Sequence, residues 1–242
     1  LNSAQLQSLT TAQVRALSTQ QLQEMSTTQV ASLTSLQVAS LKTDQLSGLE
    51  TSDIAALSST QVSALTTSQI NRLSESQVKA LETRDLAVLS SLQLRALSTQ
   101  QMTQLTDDQL TTMSSNQVGQ LLPAQLNALT TAQVALLKPA QASAFSTAQI
   151  AGLDDGRVAV LSTAAWAVMN MGQVRALTTD QVSNLKATQV AAMTTAQIGA
   201  IEAADTLVLT QAQINSMSQE QWNAISSTNR TAMVTAGKVA PY

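Results

Sequence analysis

A large apolar residue returns at every eighth place along this chain, from Leu9 and Leu17 through Met25, Leu33 and Leu41 to Ile225 and Met233. A fixed period means that one small structural unit is copied along the chain, so the fold must be one that a single unit can build by stacking on its neighbours. With Leu9 as position 1, a second apolar register runs at position 6 through Val14, Leu22, Val30, Val38 and Leu46. Between the two registers lie Ser or Thr at positions 2 and 3 and Gln at position 5, as in Thr10, Thr11 and Gln13.

Thr10 followed three residues later by Gln13 is a capping box, in which the hydroxyl accepts the N3 amide and the glutamine reaches back to the cap amide. Leu9 and Val14 then stand at N′ and N4, the two positions of a hydrophobic staple. Each octad therefore starts a helix, and the next cap stops it after about six residues. Other residues agree with this register. Pro123 and Pro139 fall at position 3, the N1 place where a missing amide does no harm. Gly48, Gly119, Gly152 and Gly199 fall at positions 7 or 8, where a helix-ending glycine is expected. Every acidic residue except Glu24 lies at positions 2 to 5, and Arg15, Arg72, Lys79, Arg95 and Arg175 lie at positions 7 and 8. That placement suits the helix dipole.

Two rival architectures fit less well. In a continuous helix an eight-residue repeat drifts about 80° per copy, so the apolar stripes would spiral around the surface. A β-solenoid would put positions 1 and 6 on opposite faces and needs Gly, Asn or Asp at its corners, whereas this chain has only 7 Gly. The predicted fold is therefore an all-α solenoid, a superhelical rod of short helices, one per octad, with Leu and Val on the inner side. Helices joined through about two residues should meet at a corner and coil. Burying one Leu and one Val yields roughly 3 to 6 kcal/mol, while ordering eight residues costs roughly 12 kcal/mol. A lone octad should be unfolded, and stability must come from stacking.

Residues 1–228 read as one array, regular to Leu137 and looser from about residue 142. There Arg157 and Ala165 take the Gln place, and Ala142, Thr206, Trp166 and Trp222 take the Val place. Residues 229–242 keep only Met233 in phase and read as a C-terminal cap or a junction to another module. The chain opens at Leu1, already on position 1, which suggests a segment of a longer repeat protein.

With no Cys and no His, disulfides and imidazole chemistry are excluded, and zinc sites built on those ligands with them. The net charge is −3 with basic residues scattered, so the basic stripe of a nucleic-acid partner is missing, and no apolar run is long enough for membrane insertion. Asp154-Asp155-Gly156 resembles the start of a calcium loop but lacks its spacing and closing Glu, so these acids, like Asp107 and Asp108, read as helix-start residues. Trp166 and Trp222 stand in phase with buried Val and read as large core fillers. Gln13, Gln21, Gln29 and their successors are placed to form a polar ladder between turns. No nucleophile has a base in reach. The expectation is no enzyme, no catalytic, cofactor-binding or metal residue, and no cofactor.

The string Leu-Thr-Thr-Ala-Gln-Val at Leu9 to Val14 and again at Leu129 to Val134 resembles the octapeptide repeats of large bacterial surface and adhesin-type (hemagglutinin-like) proteins. Leu137-Lys138-Pro139-Ala140-Gln141 also resembles the helix start of the repeats in transcription activator-like effectors, but those are about four times longer than an octad and carry a base-reading loop that this chain lacks. The first resemblance implies a structural repeat module: a stalk, spacer or filament segment of an extracellular or cell-surface bacterial protein, able to self-associate into rods or filaments. The alternative is a binding module presenting a repetitive Ser/Thr/Gln/Ala surface to a glycan, ice or protein partner.

Overall fold

A computed structural model describes residues 1–240, so the end of the expected 229–242 cap, Pro241 and Tyr242, lies outside the described residues. The chain is all-α: among the described residues there are 29 helices and no strand. Thr11–Ala16, Thr19–Gln23 and Thr27–Ala31 set the pattern, one helix of 4 to 6 residues in each octad up to the longer last helix, Ser227–Thr235. The capping box is made as the spacing predicts. Thr10 accepts from the Gln13 amide, and the Thr10 amide donates to Gln13 Oε1 at 2.8 Å. Where Lys42, Leu122, Lys138 or Lys186 stands at the cap, the side chain has no oxygen to offer. Only the return half survives, the cap amide donating to the oxygen of Gln45, Gln125, Gln141 or Gln189.

The corner is two extended residues. Leu17 (φ −60, ψ 141) ends one helix and Ser18 (φ −74, ψ 158) caps the next, so the chain turns within the pair that the repeat supplies as positions 1 and 2. Gly48 and Gly152 stand at helix ends as expected, but without a left-handed backbone. Gly48 is right-handed at φ −82, and the one positive-φ glycine among the described residues is Gly237, at φ 87. Gly48 and Gly152 instead serve close approach: a Cβ on Gly48 would collide with Cγ2 of Thr19, and one on Gly152 would lie 2.9 Å from Cβ of Pro123.

Both apolar registers are buried, from Val14, Leu22 and Val30 at position 6 to Leu33, Leu41 and Leu49 at position 1. Helices pack on the helix three places ahead, as Thr11–Ala16 on Ser35–Ser40 and Thr195–Ala200 on Gln219–Ala224. The small Ala142 and the large Trp166 both occupy position 6, on helices related in this way, Pro139–Ala142 and Thr163–Val168.

Two compact units follow one another, Leu1–Leu121 and Leu122–Tyr242, divided at an octad boundary. In the first, the helices from Ser3–Gln7 to Ser115–Gln120 coil with three-ahead packing throughout. The second repeats the plan from Pro123–Ala128 to the longer last helix Ser227–Thr235, which packs on Ala203–Val208. Each unit is a solenoid of short helices.

Candidate functional surface

A helix of six residues leaves most of its carbonyls without an intrahelical donor, since the last four of any α-helix are orphans. The glutamine at position 5 supplies donors. Its oxygen is held by its own cap, which turns the amide nitrogen onto the preceding turn. Gln37 Nε2 donates to the carbonyls of Leu6 and Leu9, both at 2.8 Å. Gln101 Nε2 donates to Ile70 at 2.9 Å and Leu73 at 2.7 Å. In the second unit Gln181 reaches Ile150 at 2.8 Å and Leu153 at 2.6 Å. The reach is 31 and 28 residues back in each case, while packing runs three octads ahead, so a turn closes between three and four octads. The expected ladder between turns is present from Gln29, whose Nε2 donates to the Leu1 carbonyl at 2.7 Å, but not at Gln13 or Gln21, and its rungs run from glutamine to backbone and not to another glutamine.

A second row runs the other way and carries no signal in the sequence, because position 7 is occupied by several residue types. Gln7, Gln23 and Asn71 donate to the carbonyls of Ser32, Gly48 and Ala96 at 2.9, 3.0 and 2.9 Å. Arg95 Nε donates to Gln120 at 2.8 Å. Each bond spans 25 residues. Any flexible donor of sufficient length serves, which is why composition there drifts.

The departures at position 5 test the role. Arg157 keeps it, its Nε donating to Leu129 at 2.8 Å across the usual 28 residues, while its Nη1 pairs with Asp154. Asp85 reverses it. Fully buried, a carboxylate cannot donate to carbonyls, and it accepts instead from Ser59 Oγ at 2.9 Å and from the Glu82 amide at 3.2 Å. Asp205 does the same with Thr179 Oγ1 at 2.7 Å. Restoring the donor with Asp85→Gln should raise stability by about 1 to 2 kcal/mol, the net worth of one or two buried neutral bonds. A shift of the urea midpoint upward with unchanged slope would register it; a downward shift would contradict the role given to position 5.

The other residues singled out by sequence serve the scaffold. Asp154 is a cap accepting the Arg157 amide at 2.9 Å, and Asp155 accepts from Asn184 Nδ2 at 3.1 Å. Asp107 and Asp108 lie in the first turn of Asp107–Thr112. Trp166 and Trp222 are buried core residues, and Trp166 Nε1 has no hydrogen-bond partner. Thr10, Ser18 and Ser26 are caps. Glu220, second in its helix, is held below the ordinary carboxylate value by a backbone amide bond and then by the Ser218 hydroxyl. Among the described residues no three His, Cys, Asp or Glu side chains gather as cation ligands. No helix there is long and apolar enough to cross a membrane.

These features define a repeat protein whose polar side chains are largely engaged in its own backbone. The family model described as the ALTTAQ repeat matches three segments, residues 46–81, 78–115 and 166–202. The chain is thus similar to that family over part of both units, and the lettering Ala-Leu-Thr-Thr-Ala-Gln occurs word for word at residues 128 to 133. The matches support a structural repeat module. A search of curated proteins gave no match.

Proposed function

We propose that this chain acts as a spacer, a stalk or filament segment whose output is length and stiffness, carried by an extracellular or cell-surface bacterial protein in an adhesion-related role. The observation behind this reading is the use of the repeated polar groups. The hydroxyls cap helices, the glutamines bridge turns, and the repeat leaves no side-chain constellation set apart for chemistry. On this reading the chain is not an enzyme. Its dimension should be additive in octads. X-ray scattering on variants lacking one, two and three whole octads of the first unit should give a maximum dimension that falls in equal steps. A near-spherical envelope with no such steps would contradict the proposal.

A second reading rests on the clefts between turns. One, of about 550 Å³, is lined by Leu73, Ser74, Glu75, Ser98 and Gln100, and another, of about 290 Å³, by Leu89, Ser90, Ser91, Asn116 and Gln117. They are the same groove two octads apart, polar and periodic. A glycan would meet hydroxyls and amides there at regular spacing, and a glycan array probed with the whole chain tests it; blank arrays leave the spacer.

A further inference from the structure

In the second unit the glutamine rungs stand at residues 173, 181, 189, 197, 213 and 221, and the place in that run without a glutamine is 205. Each rung puts one amide nitrogen where carbonyls of the preceding turn converge. Gln213 Nε2 lies 2.9 Å from the Val182 carbonyl, 3.5 Å from Ser183 and 2.7 Å from Leu185. Gln173 Nε2 lies 3.3, 3.1 and 2.7 Å from those of Ala142, Ser143 and Phe145. The carbonyls in phase with 205 belong to Val174, Arg175 and Leu177. Leu177 is buried, and among the described residues no hydrogen-bond donor reaches its carbonyl.

Asp205 stands at that place, 5% exposed. Its side chain is one methylene shorter than glutamine, so it stops short of the point that the amide nitrogen fills elsewhere, and it brings a negative charge there. Thr179 Oγ1 donates to it at 2.7 Å, and among the described residues no Lys or Arg pairs with it. A buried carboxylate next to an orphaned carbonyl is a set of acceptors that lacks a donor. Buried polar groups are otherwise paired, and an uncompensated buried charge is among the costlier arrangements in a protein interior.

We propose that the gap in the ladder at Asp205 is a cation site, taking a large monovalent ion such as potassium between the Asp205 carboxylate, the Thr179 hydroxyl and the carbonyls of Val174, Arg175 and Leu177. One carboxylate among neutral oxygens balances a single positive charge. Backbone carbonyls are the ligands that replace the hydration shell of potassium. The 2.7 to 3.5 Å between a rung nitrogen and its carbonyls exceeds the about 2.3 to 2.6 Å of calcium and the about 2.0 to 2.1 Å of magnesium. The ion would tie Ala203–Val208 to the preceding turn as a glutamine does elsewhere. Asp85 of the first unit is a weaker counterpart, because Arg84 Nε already lies 3.7 Å from its carboxylate. The site stands apart from the spacer reading, which holds with or without it.

Thermal unfolding of the whole chain in potassium chloride and in choline chloride of equal ionic strength tests it. Trp166 and Trp222 both lie in the second unit, so tryptophan fluorescence reports the unit that holds the site. The wild-type midpoint should be about 2 to 4 °C higher in potassium chloride, climbing with concentration as binding to the folded state requires. Asp205→Asn removes the charge, and Asp205→Gln restores the residue that the repeat uses. Both should lose the difference between the two salts, and Asp205→Gln should melt above wild type in choline chloride. If Asp205→Asn perturbs the fold, Asp205→Gln carries the same comparison. A wild type with equal midpoints in the two salts, or an Asp205→Gln variant that keeps the full difference, would overturn the site.

Discussion

Gln101→Glu should cost about 3 to 5 kcal/mol at neutral pH, the usual penalty for a buried charge left without a partner. The substitution is nearly isosteric, yet it turns a donor lying 2.9 Å from the Ile70 carbonyl and 2.7 Å from the Leu73 carbonyl into a negative oxygen facing both. Against a typical domain stability of about 5 to 15 kcal/mol, that is enough to unfold the middle of the first unit or bring it close to unfolding. Protonation should reverse most of it, because a carboxylic acid can donate to a carbonyl while its other oxygen still accepts the Ser98 amide, as Gln101 does at 2.7 Å. The sign follows. Burial among carbonyls raises the folded-state pKa of the new carboxyl above its unfolded value near about 4.3. The stability it contributes is full below that unfolded value and is lost as pH rises through the folded one. Urea melts of the variant and wild type between pH 3 and 8 should converge in acid and diverge above. Gln101→Met should be destabilised by about 1 to 3 kcal/mol with no such pH dependence, since it removes donors without adding charge.

Removing residues 89–96, one whole octad, should leave a folded solenoid, because every later glutamine still finds carbonyls 28 and 31 residues behind it in the new count. Removing only residues 89–92 should not. It puts the following octads half a repeat out of phase, so the glutamines at 93, 101, 109 and 117 no longer face the carbonyls they now bond. At about 1 to 1.5 kcal/mol for each bridging residue the loss is about 4 to 6 kcal/mol, by the net worth of one neutral bond. Thermal unfolding followed by circular dichroism should give a single transition near that of the intact chain for the eight-residue deletion. The four-residue deletion should give a split or much lowered one. Equal behaviour of the two would mean that phase between turns does not matter.

The local fold was legible because it is written in short-range chemistry. Thr10 with Gln13 predicts a cap, Pro123 and Pro139 predict the first helical residue, and the period of eight leaves room for little more than one turn of helix. The glutamine ladder was legible as a need, since something had to fix the register between turns. Its partner was not, because a backbone carbonyl has no letter in the sequence. The number of octads per turn was hidden for the same reason: corner angles set by Leu17 and Ser18 depend on a few tens of degrees in ψ, which residue type does not encode. The glycines at 48 and 152 do stand at helix ends, as their positions predict. Gly48 and Gly152 stand where a left-handed cap is common, but a chain that enters the next cap through two extended residues needs no positive φ, and what they supply is space against Thr19 and Pro123. Trp166 was legible as a core filler because it stands in phase with the buried Val and Ile of position 6.

Everything above depends on turns, not octads, being the smallest stable piece. The shortest side-chain bridge between turns spans 25 residues, so a peptide of residues 33–56, three octads and 24 residues, contains none of them. A piece of seven octads, residues 33–88, contains the bridges from Gln69 and Gln77. Far-ultraviolet circular dichroism of the two peptides at equal residue concentration compares them directly. The account predicts a disordered spectrum for the shorter and a helical spectrum with a cooperative melt for the longer. Equal helicity per residue in both would contradict it.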